Sequence, residues 1–125
     1  MSGKLKSTDK IFGQIKEYFS PKIIGEVNDV FIKLAIIKGN AIPWHIHDNE
    51  DEMFLIMAGT KEMEIEGKPA FTLSQGDYYI VKKGINHRVY SEGECRIMLV
   101  EPKETKHTGN VDSKITKNIE NQYLL

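Results

Sequence analysis

From Lys22 to Glu101 the chain is written in short runs of Val, Ile, Phe and Tyr, broken by Gly and other turn residues every eight to twelve positions. Val30, Ile32, Leu34 and Ile36 alternate in one run, and Met63 and Ile65 in another. Phe71 and Leu73 follow the turn EGKP, while Cys95, Ile97 and Leu99 follow a turn at Glu92-Gly93-Glu94. Six or more antiparallel strands in about eighty residues predict an all-β domain, a small closed or nearly closed barrel whose closure removes exposed strand edges.

The two ends read differently. TDKIFGQIKEYF places Ile11, Ile15, Tyr18 and Phe19 at helical spacing behind caps at Ser7, Thr8 or Asp9, and Ser20-Pro21 stops it. Residues 1–21 are therefore an N-terminal helical segment and 22–102 the barrel. Residues 103–125 form a polar tail in which Val111, Ile115, Ile119 and Tyr123 recur every four positions. Helix, docked arm and exchanged arm are all open to that tail, which docks on the barrel or on a partner subunit.

With 125 residues the chain holds one domain of ordinary size, so that domain must do the whole job. The formal charge of -1 supplies no basic field for nucleic acid or an anionic membrane. The longest apolar run, Met53 to Ala58, is too short to span a bilayer. MSGKLKSTDKIF lacks the apolar stretch of a signal peptide, so the expected location is the cytoplasm. Cys95 is the single cysteine, which suits a reducing compartment and reads as a small buried hydrophobe.

The chemistry concentrates in PWHIHDNEDE, Pro43 to Glu52. A cluster of Asp, Asn and Glu between apolar runs is ordinarily a solvated turn. On a strand, however, His45 and His47 project from one face about 6–7 Å apart, close enough to converge on one ion. Asp48 to Asp51 then form the turn, and Glu52 opens the returning strand beside the histidines, with Phe54 and Ile56 further down its face. In GDYYIVKKGINHRVYS, His87 and Val89 share a strand face, whereas Arg88 and Tyr90 point away. Three neutral imidazoles and one carboxylate around a divalent ion leave a net charge near +1 and, for six-coordination, about two open positions. His107 reads as an ordinary surface or core histidine. Lys82 and Lys83 precede the turn to His87, either in a solvated turn or with one of them holding an anion at the barrel mouth.

GNAIPWHIHDNEDEMFLIMAG, Gly39 to Gly59, matches the first motif of the cupin superfamily, G-x5-H-x-H-x3-4-E-x6-G, at every specified position. Gly76 to Ser91 resembles the second, G-x5-P-x-G-x2-H-x3-N, with Lys82 in place of Pro and Ser91 in place of Asn. WHIHDNEDEMFLIMAG with EPKETKHTG is similar to small stand-alone cupins of the mannose-6-phosphate isomerase-like type. The resemblance implies a jelly-roll β-barrel, commonly dimeric, with metal ligands His45, His47, Glu52 and His87. It also implies one divalent transition metal among Fe, Mn, Ni and Zn, without naming which.

Two functions follow as expectations. In the first, the metal binds a small polar or anionic metabolite and promotes dioxygenation or isomerisation, with Phe54, Ile56, Val89 and Lys82 around the substrate. Spacing offers no general base beyond the spent Glu52, which favours dioxygenation over a proton-shuttling isomerase. In the second, the metal holds a sugar or organic acid without turnover. Met53, Leu55 and Met57 lie opposite Glu52, Phe54 and Ile56 and need cover from the helix, the tail or a second subunit, which predicts a homodimer.

Overall fold

The computed structural model describes residues 3–39, 42–103 and 122. In chain order its elements are α1 (Thr8–Phe12), β1 (Lys22–Val27), β2 (Val30–Gly39), β3 (Glu52–Ala58), β4 (Thr60–Ile65), β5 (Phe71–Ser74), β6 (Tyr78–Val81) and β7 (His87–Pro102). Every strand pairing is antiparallel. β7 is the seam of the molecule. Its first residues pair with β4, which continues to β5, and its later residues lie between β2 and β3 in the order β1-β2-β7-β3-β6. The ladder does not close on itself, and the architecture is the expected all-β jelly roll with one short helix. No helix among the described residues is long and apolar enough to cross a membrane.

Strand alternation assigns the faces. Phe31, Lys33, Ala35 and Ile37 of β2, Glu52, Phe54 and Ile56 of β3, and Cys95, Ile97, Leu99 and Glu101 of β7 are all buried and face the barrel interior. Ile32, Leu34 and Ile36 face outward, and Ile11, Phe12 and Ile15 pack on Leu34 and Ile36. Two hydrophobic clusters result, one inside the barrel and one between the N-terminal segment and the sheet.

Three expectations change on this scaffold. The helix is five residues long, not twelve: Gly13 caps it, and Gln14 and Ile15 donate to Ile11 and Phe12 in tighter i→i+3 turns. Phe19 then leaves the helical stripe, adopts φ 55° and joins the interior cluster. A bulky residue in that left-handed region costs about 1–2 kcal/mol, offset by burial of its ring. Glu92-Gly93-Glu94 does not end a strand either. β7 runs through it for 16 residues with a register shift, where Ser91 Oγ donates to the carbonyls of Thr60 and Gly93. The expected tail pattern and His107 lie outside the described residues, apart from Gln122, which is fully buried and accepts from Lys33 Nζ at 2.5 Å.

Gly59, which closes the first histidine motif, is fixed by space as well as by backbone. It has φ 83°, and a Cβ there would sit 2.5 Å from the Glu94 carbonyl oxygen. Gly39, at φ 81°, faces open space. Gly59→Ala should lower unfolding free energy by roughly 2–4 kcal/mol, and Gly39→Ala by about 1 kcal/mol. Urea titration checks this, and equal losses would contradict the packing account.

Candidate metal centre

The loop before β3 and the start of β7 bring the histidines together. His45 and His87 exchange both backbone hydrogen bonds, at 2.9 and 3.0 Å, and Gly84 N–H donates to the His47 carbonyl at 2.8 Å. This differs from the expected hairpin. His45 and His47 lie in an irregular segment that pairs with His87, while the partners of β3 are β6 and β7. Asp48 to Asp51 connect the two as expected, and Glu52 opens β3. Asp51 helps to fix the neighbouring turn by accepting from Lys83 N–H at 2.9 Å.

His45, His47, Glu52 and His87 are all buried, and one potential ligand atom from each lies within 4.8 Å of the others. The rings of His45 and His87 have centroids 4.2 Å apart. His45 Nδ1 donates to the Pro43 carbonyl at 2.8 Å, and His87 Nδ1 to the Ile85 carbonyl at 2.9 Å. Those bonds fix each ring and leave Nε2 as the atom with a free lone pair. Nε2 of His47 and of His87 are buried with no hydrogen-bond partner among the described residues. They lie 3.4 and 3.9 Å from Glu52 Oε1. Orphaned, convergent imidazole nitrogens beside a carboxylate are the donor set that a divalent cation satisfies, so this cluster could bind a metal ion.

The electrostatics separate the histidines. Burial pushes His45 down to about 4, helped by the neighbouring His87 charge, so its imidazole is neutral near pH 7. Burial also opposes charge on His47, but the adjacent Glu52 carboxylate outweighs it and raises that pKa. Glu52 is fully buried, which favours its protonated form. The neighbouring Glu101, His47 and His87 groups outweigh burial and hold it well below the usual carboxylate range. Glu101 is driven the opposite way, well above the usual carboxylate range, by burial and by the Glu52 charge. Behind Glu101 stands Lys33, with Nζ 2.6 Å from Glu101 Oε1 and both side chains fully buried.

A cavity of about 20 Å³ adjoins His45 and Glu52, room for about one water. Phe19, Pro21, Ala35, Ile37, Ile42, Phe54, Val89, Ile97 and Leu99 complete its wall. Of the side chains expected around a substrate, Phe54 and Val89 line it. Ile56 is buried in the interior cluster without lining it. Lys82 stands elsewhere, with its side chain 71% exposed and Nζ 3.4 Å from Asp51. The larger groove of about 290 Å³ bounded by Glu62, Glu64, Arg88 and Tyr90 includes none of the four cluster residues.

The family models and known relatives agree with this geometry. Residues 33–101 match the cupin domain model Cupin_2. The chain belongs to the cupin family. This cupin is 29% identical over 103 residues to the uncharacterized protein YdbB of Bacillus subtilis (strain 168), covering 82% of this chain and 90% of the relative. It is similar to a solved cupin-2 domain protein of Shewanella frigidimarina at 33% identity and TM-score 0.75, over 78% of this chain and 94% of that one. Protein NMB1881 of Neisseria meningitidis matches at 25% identity and TM-score 0.72, over 79% and 99% of the two chains.

Three inward charged residues escape a reading by motif: Lys33, Glu101 and Lys61. Lys61 is fully buried, and its Nζ has no hydrogen-bond partner among the described residues. It sits 3.3 Å above the centroid of the Phe54 ring. Burial lowers its pKa from 10.5 to about 7. Because the folded value lies below the unfolded one, the unfolded chain binds more protons between pH 7 and 10.5, and stability rises with pH across that window. Lys61→Met should therefore stabilise the fold by roughly 1–4 kcal/mol near pH 7, and the gain should shrink as pH approaches 10. A gain independent of pH, measured by urea unfolding at several pH values, would show that Lys61 is not the titrating group.

Proposed function

We propose that His45, His47, Glu52 and His87 hold one divalent transition-metal ion, Fe, Mn, Ni or Zn, and that this cupin is a metal-dependent enzyme of dioxygenase type acting on a small molecule. The observation that carries this reading is a buried set of three imidazoles and a carboxylate, two of which, His45 and Glu52, line a cavity whose other nine described lining residues are apolar. Bound there, a redox-active ion would supply open coordination positions and the electron transfer that activates dioxygen toward an organic ligand.

The chain's own contribution is positioning and exclusion. Backbone carbonyls of Pro43 and Ile85 take the Nδ1 protons, which presents the Nε2 atoms as donors. Glu101 stands beside the Glu52 carboxylate and helps to hold it ionised. Phe54 and Val89 keep water scarce, which suits an apolar diatomic reactant. A sugar-phosphate isomerase has less support, because no Lys or Arg among the described residues lines the cavity to meet a phosphate. Retention of a sugar or organic acid without turnover is the competing outcome. Oxygen uptake on adding candidate ligands to the metal-loaded protein separates it from catalysis.

Protein purified without added metal should contain near one equivalent of a redox-active ion by elemental analysis, and His47→Ala should lower metal affinity at least about tenfold. Zinc alone would favour a non-redox role. No metal in the purified protein and none after reconstitution would end the reading. Affinity should fall as pH is lowered through the raised pKa of His47, because that imidazole must be neutral to ligate. Constant affinity from pH 7.5 to pH 5 would exclude histidine ligation.

The active assembly in this proposal is a homodimer. Ile32, Val100 and Met53 share the outer sheet face with Ile80, and Leu55 with Tyr78. Ile80 is 45% exposed and Tyr78 65% exposed, while the N-terminal segment reaches Met57 and Met98 but not this edge. A second copy laid on that face covers it, and a net charge of -1 offers little repulsion. Light scattering should give twice the chain mass, and Leu55→Glu should give a monomer. A monomeric wild type would refute the interface.

A further inference from the structure

Most described lining residues of the cavity beside the histidine cluster come from barrel strands and the loop before β3. The exceptions are Phe19 and Pro21, from the segment between α1 and β1. The other buried large apolar residues of the N-terminal segment, Ile11, Phe12 and Ile15, pack on the outside of the sheet. Phe19 alone among them turns into the interior cluster, and it does so with its backbone in the left-handed region. A residue with a Cβ adopts that conformation where its surroundings hold it there.

Two bonds provide the hold. Phe19 N–H donates to the Ile36 carbonyl at 2.9 Å, which ties it to β2. The neighbouring Tyr18 hydroxyl donates to the Glu94 carboxylate across the register shift of β7. Ser20 is 1% exposed and its hydroxyl has no partner among the described residues, so the chain continues inward at Phe19 despite leaving a polar group unsatisfied. The ring that enters the barrel this way lines the same cavity as His45 and Glu52.

We infer that Phe19 is the specificity-determining residue of this site: its ring closes the cavity beside His45 and Glu52 and restricts the ligand to a molecule of a few heavy atoms. This deepens the metal-dependent reading above and rests on it. The space left, about 20 Å³, is below what any ring-containing ligand occupies. Removing the Phe19 ring would open a phenyl-sized, apolar volume adjoining the metal-binding cluster. A ligand that places an aromatic ring there and a carboxylate toward the metal should then gain entry.

Formate and benzoate share the carboxylate donor and differ in size, so they are suitable probes. Cobalt(II) would be loaded into the full-length wild type, Phe19→Ala and Phe19→Gly, its content measured, and each anion titrated against the visible cobalt absorption. Glycine is included because it accepts the left-handed backbone without strain. Benzoate should bind the two variants at least about tenfold more tightly than wild type, with formate changed by less than about threefold. Benzoate binding equally to wild type and variants, or no gain in variants that load cobalt normally, would overturn the inference.

A second arm needs no metal. Benzene should raise the melting temperature of metal-free Phe19→Ala and leave wild type unmoved. Failure of cobalt to load any of the three proteins would defeat the metal assignment, and the benzene arm would still decide the role of Phe19. An equal benzene response in wild type and variant, or none in a cooperatively melting variant, counts against it.

Discussion

The rest of this structure depends on a carboxylate, Glu52, held fully buried against three imidazoles in a largely apolar barrel. Removing an ionised carboxylate from water costs several kcal/mol unless opposite charge and hydrogen bonds return it. Here the return comes from one side through Glu101 and Lys33, and from the other through Nε2–H of a protonated histidine or a bound cation. The backbone serves the same end. Paired amides and carbonyls of His45 and His87 fix the rings, so the site is formed by main-chain geometry before any ion arrives.

That constraint explains the distribution of interior charge. Lys33 approaches Glu101 and the buried amide of Gln122, which gives its ammonium two buried partners. Lys61 lies over the face of Phe54 with no hydrogen-bond partner among the described residues, and burial depresses its pKa. Cys95 feels the same burial, with a thiol pushed up to about 11, which makes it packing material and not a nucleophile. The apolar remainder leaves little water around the cluster, where each electrostatic interaction is correspondingly stronger.

The cluster itself was legible in the sequence, because ligand spacing survives errors in local pairing. His45, His47, Glu52 and His87 converge even though the first two face His87 and not the β3 partner that a hairpin implied. Parity could have exposed more. Lys61 shares its strand face with Met63 and Ile65, and Glu101 shares its face with Cys95, Ile97 and Leu99, so both were readable as inward charges. Lys33 was not, since β2 is apolar on both faces and alternation there carries no sign. Phe19 was also beyond reach. Its place depends on a left-handed backbone set by tertiary contacts with Ile36 and Glu94, and local periodicity assigned it to a helix instead.

X-ray absorption at the edge of the bound metal tests the central claim most directly. The account predicts a first shell of nitrogen and oxygen at about 2.0–2.2 Å, with the outer-shell multiple scattering of three imidazoles in wild type and of two in His87→Ala. A sulfur shell, or an imidazole count that His87→Ala leaves unchanged, would contradict it.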